Sequence, residues 1–179
     1  MDIVNLLATT QFAEYLDLDT FSEQTDREFE PDRFPGMSCK LETPKVCVLL
    51  FRSGRVVVTG AKQISDIESA LTHVFQELKD NGHEDLDENY HYEIGNVVVT
   101  HNIGEELNLA ELTMRLPFAR TEWEPEQFPG LIYRVGRGLN SVALVFSSGK
   151  CVITGNTTIE DAQSASEYLT EDLLACLEI

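Results

Sequence analysis

Runs of β-branched and apolar residues alternate with helical periodicities along this chain, in an order that predicts a structure of strands and helices. Residues 5–10 predict a strand, residues 13–24 a helix and residues 34–42 a second strand. Two further apolar runs within residues 45–60 flank the sequence RSGR, a spacing typical of a β-hairpin. The first half of the chain therefore predicts a small antiparallel sheet.

A long amphipathic helix is predicted at the end of each half. In the first half Ser65 and Glu68 have the spacing of a capping box, and in the second half Thr158 and Asp161 have the same spacing. The apolar residues predicted to share one helical face are Ile67, Ala70, Leu71, Val74, Phe75 and Leu78, and then Ala162, Ala165, Leu169, Leu173 and Cys176. Such helices pack on one face of an antiparallel sheet.

The second half of the chain repeats the first. EPDRFPG at 30–36 recurs as EPEQFPG at 124–130, and FRSGRVVVTG at 51–60 recurs as FSSGKCVITG at 146–155. Two copies predict a pseudo-twofold protein, because a solenoid needs at least three. The predicted organisation is a first repeat at 1–82, an acidic linker at 83–91 and a second repeat at 92–179.

The predicted strands are apolar on both faces, although one layer of helices covers only one face of a sheet. Residues 46–51 and 56–58 contain no polar side chain, and neither do residues 142–146 and 151–153. An uncovered apolar surface of this extent indicates a binding surface.

Positive charge is concentrated on the same strands. Residues 34–62 hold five bases and one acid, and residues 128–157 hold three bases and no acid. The rest of the chain holds five bases and 30 acids, and the whole chain has a net charge of −18. A basic patch on an apolar surface favours a polyanion as partner. The acidic remainder is typical of a surface that stays soluble, including at high salt.

Phenylalanines stand at equivalent strand ends in the two repeats. Phe34 and Phe51 in the first repeat correspond to Phe128 and Phe146 in the second. Taken singly, each fits an ordinary core residue. As symmetric pairs beside bases, they are typical of proteins that push apolar wedges between base steps from the minor groove, and we favour that interpretation.

Other features limit the class of protein. No run of about 18 apolar residues is present to span a membrane. The N-terminal sequence MDIVNLLATT lacks the basic segment of a signal peptide. Cys39, Cys47 and Cys151 lie in apolar runs, which predicts buried free thiols and a reducing, cytoplasmic location. A disulfide or a zinc site is the less favoured interpretation, because no ligand spacing supports either.

Two other functions stay open at this point. An enzyme or a weak metal site would draw on the histidines, of which His83 and His91 lie in the linker near Asp85, Asp87 and Glu88. Their spacing matches no metal-ligand motif, and no phosphate loop or nucleophile motif stands out. A module that binds a small apolar ligand or a protein is the second alternative, but such a groove would not gather eight bases.

The duplicated FPG, SG(K/R) and TG motifs, with Asn5 and Asn96 in the sequences IVN and IGN, resemble the TATA-box-binding protein family over nearly the whole chain. The acidity and the lack of an N-terminal extension resemble archaeal members, and we expect a source that lives at high salt. The resemblance implies an α+β fold. In that fold the two repeats form a pseudo-twofold saddle. Its curved antiparallel sheet has ten strands, and four helices lie on its convex face.

The resemblance also implies a function: a general transcription initiation factor that binds the minor groove of A·T-rich promoter DNA and kinks it. It implies no catalytic residue, no cofactor and no metal. Transcription factor B is the implied direct partner and RNA polymerase an indirect one, with nucleoid association in the cytoplasm. The chemistry agrees, because A·T pairs show only acceptors in the minor groove, and the added amino group of G·C would be left unpaired on an apolar surface.

The roles of individual residues carry over onto matching positions. The intercalating residues are Phe34, Phe51, Phe128 and Phe146. Those expected to contact bases and sugars are Asn5, Leu7, Leu49, Val57, Thr59, Asn96, Val98, Leu144, Val152 and Thr154. Those expected to hold phosphates are Lys40, Arg55, Arg134 and Lys150. Glu124 and Glu126 are expected to contact transcription factor B; the alternative is that they are two more of the chain's 31 acids in solvent.

The two repeats also differ. Asn156 and Thr157 stand where the first repeat has Ala61 and Lys62, so one phosphate contact is expected to be missing. The connection that contains residues 135–140 is one residue longer than its counterpart, so that loop is expected to differ in shape.

Overall fold

The repeat in the sequence is also the unit of structure. The structure, a computed structural model, describes residues 1–177. The chain divides into two units: one is Asn5–Gly95, and the other joins Met1–Val4 to the chain from Asn96 onward. Each unit contains one copy of the repeat, which we call the first and the second repeat.

The first repeat is a four-stranded antiparallel sheet with two helices. Its elements are β1 (Asp2–Gln11), α1 (Leu18–Gln24), β2 (Gly36–Glu42), β3 (Lys45–Phe51), β4 (Arg55–Ala61) and α2 (Ile64–Asp80). The strand order is β2-β3-β4-β1. The hairpin predicted around RSGR is therefore confirmed, with β3 and β4 as its two strands.

The second repeat has the same order of elements with one extra strand. Its elements are β5 (Glu93–Asn102), α3 (Leu109–Arg115), a 3₁₀ turn (Phe118–Arg120), β6 (Thr121–Glu122), β7 (Leu131–Arg134), β8 (Val142–Val145), β9 (Lys150–Asn156) and α4 (Ile159–Leu177). The strand order is β5-β9-β8-β7-β6, and each pair of neighbouring strands is antiparallel.

The described residues thus contain four α-helices, as expected, but nine strands where ten were expected. The missing strand is the first-repeat counterpart of β6, which would lie at Arg27. There the carbonyl of Arg27 accepts a hydrogen bond from the hydroxyl of Ser22 at 2.7 Å. Its guanidinium donates to both carboxylate oxygens of Glu77 on α2, at 2.9 and 2.7 Å. Arg27 is therefore held by helices α1 and α2.

The core of each repeat lies between the sheet and its long helix. Helix α2 packs on β3 and β4, and α4 packs on β9. The predicted faces of both helices are confirmed as buried, with Phe75 and Cys176 half-buried at their margins. Each Val, Leu or Ile buried in this way contributes about 1.5–3 kcal/mol to stability.

Two predicted helix starts were wrong. Helix α1 begins at Leu18 and not at residue 13, because the Asp17 side chain caps it by accepting from the Thr20 amide at 3.1 Å. Before that cap, the Leu16 amide donates to the carbonyl of Arg52 at 2.9 Å, so Leu16 is bonded to the turn between β3 and β4. Ser65 does not cap α2, which begins at Ile64 after Gln63.

The predicted cap of the second long helix is confirmed. The Thr158 hydroxyl accepts a hydrogen bond from the Asp161 amide at 3.0 Å, immediately before α4. The two long helices are therefore capped differently: in the first repeat the Asp66 carboxylate instead accepts from the Lys62 amide at 3.2 Å. The repeats conserve the position of the helix but not its N-terminal hydrogen bond.

All four cysteines lie within residues 1–177 and none forms a disulfide. Cys39 and Cys151 are buried as predicted, and burial raises the pKa of each thiol to about 12. Cys47 was predicted to be buried, which is wrong, because its side chain is half-buried and lies on the sheet face away from the helices.

The acidic linker packs against the first repeat. The Tyr90 ring lies 4.7 Å from the Phe12 ring and 5.2 Å from the Phe75 ring, measured between centroids. The Asp87 amide donates to the Phe12 carbonyl at 2.7 Å. Residues 83–91 are therefore polar in composition but fixed by aromatic contacts. None of the helices in residues 1–177 has the length and hydropathy needed to cross a membrane.

The repeats diverge most in two loops. The loop after β7 differs in shape, as expected, and includes Arg137 with a left-handed backbone at φ 55°. The segment after α3 is three residues longer than the one after α1 and forms the 3₁₀ turn. Phe118 in that turn is 92% exposed. These loops lie outside the shared sheet pattern.

We expect Gly54→Ala to lower the free energy of unfolding by about 3 kcal/mol, because an added Cβ would lie 1.7 Å from the Ala13 carbonyl oxygen. Gly82→Ala is the matched control, since Gly82 has a similar φ of 86° but a Cβ added there would have no neighbouring atom within 4 Å. It should lower the same quantity by only about 1 kcal/mol. Urea unfolding of the two variants measures the difference, and equal losses would contradict the prediction.

Candidate nucleic-acid interface

Each repeat has one sheet face that points away from its helices, which we call its open face. Successive side chains of a strand point to opposite faces, so residues buried under the helices alternate with residues of the open face. In the first repeat the open face includes Asn5, Leu7, Leu49, Val57 and Thr59, which are all half-buried. Their strand neighbours Leu6, Ala8, Leu50 and Val58 are fully buried.

The second repeat presents the same pattern. Its open face includes Asn96, Val98, Leu144, Val152 and Thr154, again half-buried. The structure therefore places all ten residues predicted to contact bases and sugars on the two open faces. Apolar side chains dominate both faces, as the uninterrupted apolar runs of the strands predicted.

Strand register aligns these residues in matching rows. In the first repeat one row runs Ser38, Leu49, Val57 and Thr9 across four strands. Its counterpart in the second repeat runs Ile132, Leu144, Val152 and Thr100. A neighbouring row runs Lys40, Cys47 and Thr59 in the first repeat, and Arg134, Val142 and Thr154 in the second.

Sequence reasoning missed several members of these rows. They are Thr9, Ser38 and Cys47 in the first repeat and Thr100, Ile132 and Val142 in the second. A signal was present, because each lies two positions from a residue already predicted to contact DNA, and the side chains of a strand repeat every two residues.

A pair of phenylalanine rings stands at the end of each open face. The Phe34 and Phe51 rings are 6.0 Å apart between centroids at an interplanar angle of 67°, and Phe128 and Phe146 are 5.9 Å apart at the same angle. Phe34 is 41% exposed, and the other three rings are half-buried. The rings therefore pack edge to face on one another and are not enclosed in the core.

The glycine of each FPG motif makes room for these rings. A Cβ added at Gly36 would lie 2.8 Å from Phe34 Cε1 and 2.9 Å from Phe51 Cε1. A Cβ added at Gly130 would lie 2.7 Å from Phe128 Cε1. Neither glycine has a left-handed backbone, so close approach of the rings is the reason for glycine at both positions.

Hydrogen bonds fix the orientation of the two asparagine side chains. The Asn5 Oδ1 atom accepts from the Gly60 amide at 2.7 Å, and Asn96 Oδ1 accepts from the Gly155 amide at 2.9 Å. In the second repeat, Asn96 Nδ2 also donates to the Thr154 hydroxyl at 3.0 Å. Because each carbonyl oxygen is turned to a backbone amide, the side-chain N–H groups are the donors left for a ligand: both of those on Asn5, and one on Asn96 beyond its bond to Thr154.

The four residues predicted to hold phosphates are exposed. Lys40, Arg55, Arg134 and Lys150 each lie two positions along their strand from a residue of the open face, namely Ser38, Val57, Ile132 and Val152. Arg134 lies 4.0 Å from Glu122, a distance that leaves it available to another anion. These four bases border the apolar rows.

Two of the eight bases counted on these strands serve a different role. Arg52 donates to Asp19 at 2.7 Å and lies 5.0 Å from the Phe29 ring centroid. Arg137 donates to Glu171 and Asp172 on α4, at 2.7 and 2.6 Å. Both guanidiniums are thus paired with acids near the helices, and the expectation that all eight bases border the apolar surface was wrong for these two.

Glu124 and Glu126 lie exposed in the turn that precedes Phe128. The Glu124 carbonyl accepts from the amides of Gln127 and Phe128, both at 2.9 Å. Glu30 has the same backbone role before Phe34 in the first repeat. The turn therefore fixes the phenylalanine by backbone bonds alone and leaves the two carboxylates in solvent.

The histidines do not converge on a metal or a catalytic centre. No cluster of three or more His, Cys, Asp or Glu side chains within residues 1–177 is arranged to hold a metal ion. His83 packs edge-on against Phe21, with both ring nitrogens buried. His101 shares a hydrogen bond of 2.8 Å with Thr170. The arrangement gives no support to the enzyme alternative.

Comparison with known proteins establishes the family. A family model described as transcription factor TFIID, or TATA-binding protein, matches residues 1–81 and 91–176. The chain belongs to the TATA-binding protein family. The chain is 40% identical over 172 residues to the TATA-box-binding protein of Archaeoglobus fulgidus, which covers 96% of this chain and 93% of that one. It is 37% identical over 174 residues to that of Haloarcula marismortui, covering 97% and 92%.

A solved structure confirms the predicted fold class. The TATA-binding protein of Methanococcus jannaschii superposes with a TM-score of 0.86 at 40% identity, covering 97% of this chain and 98% of that one. The family consists of transcription factors that bind DNA. Identity to the Haloarcula protein does not exceed identity to the Archaeoglobus protein, so the high-salt source stays a prediction.

We expect Gly36→Ala to separate the Phe34 and Phe51 rings, because both lie within 3 Å of the added Cβ. The nuclear Overhauser effects between the two rings should weaken in the free protein. Gly95→Ala is the control, since its added Cβ would lie 3.2 Å from the end of the flexible Leu7 side chain and 3.9 Å, an ordinary contact distance, from the Leu7 carbonyl oxygen. Ring contacts that persist in Gly36→Ala would show that the glycine is not what admits the pair.

Proposed function

We propose that this chain is a general transcription initiation factor that binds the minor groove of A·T-rich, TATA-type promoter DNA with its two open faces and kinks it. The observation that carries the proposal is the partly exposed phenylalanine pair of each repeat, which packs against a glycine at the end of an apolar face. Membership of the TATA-binding protein family supports it.

The open faces suit A·T pairs chemically. The minor groove of an A·T pair presents only the acceptors adenine N3 and thymine O2. The amide N–H groups of Asn5 and Asn96 are donors held toward each open face, and they match such acceptors. The surrounding Leu and Val side chains offer no acceptor for the amino group of a G·C pair, which would lose its hydrogen bond to water.

The phenylalanine pairs supply the wedges. Unstacking a base step costs a few kcal/mol, and apolar side chains inserted at the step offset that cost. Each pair already packs edge to face in the free protein, so little side-chain freedom remains to be lost on binding. Lys40, Arg55, Arg134 and Lys150 then neutralise phosphates beside the widened groove.

The experiment that tests this proposal compares Phe51→Ala and Phe146→Ala with Phe118→Ala. We expect each of the first two to weaken binding of a TATA duplex by about tenfold or more and to reduce its bend, because a wedge is lost. Phe118→Ala removes an equally large side chain that is 92% exposed in the 3₁₀ turn after α3, outside the strands that form the open face, and should change neither. Fluorescence transfer between labelled DNA ends measures the bend. An unchanged bend in both wedge variants would refute the proposal.

We further infer that Glu124 and Glu126 form the contact with transcription factor B, which then recruits RNA polymerase. The two carboxylates are exposed, close together in the chain and free of any backbone role, so they suit a basic partner surface. The turn fixes their backbone next to Phe128, so a partner held there would also lie close to kinked DNA.

Glu124→Arg with Glu126→Arg should abolish assembly of transcription factor B on the protein–DNA complex while leaving DNA binding intact. Glu30→Arg with Asp32→Arg makes the same charge change at the equivalent turn of the first repeat and should leave assembly unaffected. A gel shift with purified transcription factor B distinguishes them. Equal loss in both variants would point to a general charge effect and contradict the assignment.

A further inference from the structure

The open faces of the two repeats can be compared position by position. In the two rows described above, equivalent positions of the two repeats both hold leucine, both hold valine or both hold threonine. One row in each repeat ends in a basic residue. Only two positions change in chemical character. Ser38 and Cys47 in the first repeat stand where the second repeat has Ile132 and Val142.

The exchanged pair forms one polar site. Ser38 Oγ lies 3.2 Å from Cys47 Sγ, and one of the two groups donates to the other. A hydroxyl oxygen has two lone pairs, and a thiol is a weak donor and a weak acceptor. Whichever group donates, the Ser38 oxygen keeps a free acceptor position. Ser38 is exposed and Cys47 half-buried, so this acceptor is accessible from the open face.

The corresponding site of the second repeat has no acceptor. The Ile132 and Val142 side chains are hydrocarbon and half-buried. Leu144, which is paired with Ile132, is also apolar, and the hydroxyl of Thr154, which is paired with Val142, already accepts from Asn96 Nδ2 at 3.0 Å. A donor brought against this surface loses its hydrogen bonds to water and gains none. The two repeats therefore treat a buried amino group differently.

We propose that the first repeat tolerates a G·C pair at the base step next to Ser38 and Cys47, whereas the second repeat excludes G·C at the equivalent step. The guanine 2-amino group is the single donor that distinguishes G·C from A·T in the minor groove. The Ser38 oxygen, assisted by the Cys47 sulfur, accepts from it. This inference rests on the proposed function. It predicts that the DNA sequence accepted by the first repeat differs at this step from the sequence accepted by the second.

Inosine isolates the interaction, because an inosine–cytosine pair is a G·C pair without the 2-amino group. The experiment measures the Kd of the whole chain for an all-A·T duplex and for duplexes with one G·C or one inosine–cytosine pair at each position. In the first repeat's half of the site, G·C at one position should bind within about threefold of inosine–cytosine. At the mirror position, G·C should bind about tenfold or more weakly than inosine–cytosine.

Reciprocal exchanges assign the effect to the two residues. Ser38→Ile with Cys47→Val should raise the G·C penalty at the tolerant position to that of the mirror position. Ile132→Ser with Val142→Cys should lower the penalty in the other half of the site. Because the comparison is the ratio of G·C to inosine–cytosine Kd within each variant, any change in that variant's overall affinity for DNA cancels, and a circular dichroism spectrum like that of the unaltered chain shows that the variant is folded.

The outcomes are distinct. Equal ratios of G·C to inosine–cytosine affinity at mirror positions in the unaltered chain would overturn the inference while leaving the proposed function intact. An asymmetry that survives Ser38→Ile with Cys47→Val would overturn it as well. Failure of the unaltered chain to bind the all-A·T duplex would instead refute the proposed function, and the inference with it.

Discussion

A single layer of helices on a sheet leaves half of the strand side chains without a helical partner, and this constraint governs the rest of the molecule. Leu6, Val48 and Val58 pack beneath the helices and supply the core. Leu7, Leu49 and Val57 are just as apolar but point the other way. A strand that is apolar on both faces leaves hydrocarbon side chains exposed to solvent unless a partner covers them. The stability of each repeat and its capacity to bind thus come from the same strands, one face each.

The polar groups on the open faces are few, and hydrogen bonds within the protein settle what each one offers. Gly60 and Gly155 occupy the carbonyl oxygens of Asn5 and Asn96, which leaves amide N–H groups outward. Arg52 and Arg137 are drawn to acids near the helices and leave the surface to other bases. A side chain's chemistry toward a ligand is therefore decided as much by its protein partners as by its type.

Much of this was predictable from the sequence, because the signals were periodic and occurred twice. The apolar runs, the duplicated FPG motifs and the helical faces at Ile67 and Ala162 each had an independent copy to check against. What failed depended on single contacts that have no period. The Asp17 cap moved the start of α1, and the hydrogen bond from the Ser22 hydroxyl holds Arg27 where the tenth strand was expected. Cys47 is a different case, because it was predicted to be buried although alternation from Leu49 would have placed it on the open face. The roles of individual residues toward DNA and toward a protein partner rest on chemistry that the fold positions but does not itself perform.

The phenylalanine pairs depend on an atom that is absent. Each pair occupies the volume that a side chain at Gly36 or Gly130 would fill. Every amino acid other than glycine carries a Cβ. Any mutation that replaces either glycine therefore adds an atom in the volume that the rings occupy. The two repeats differ in their helix caps, their loops and their charge, yet both have this glycine. We therefore expect selection to retain glycine at these two positions.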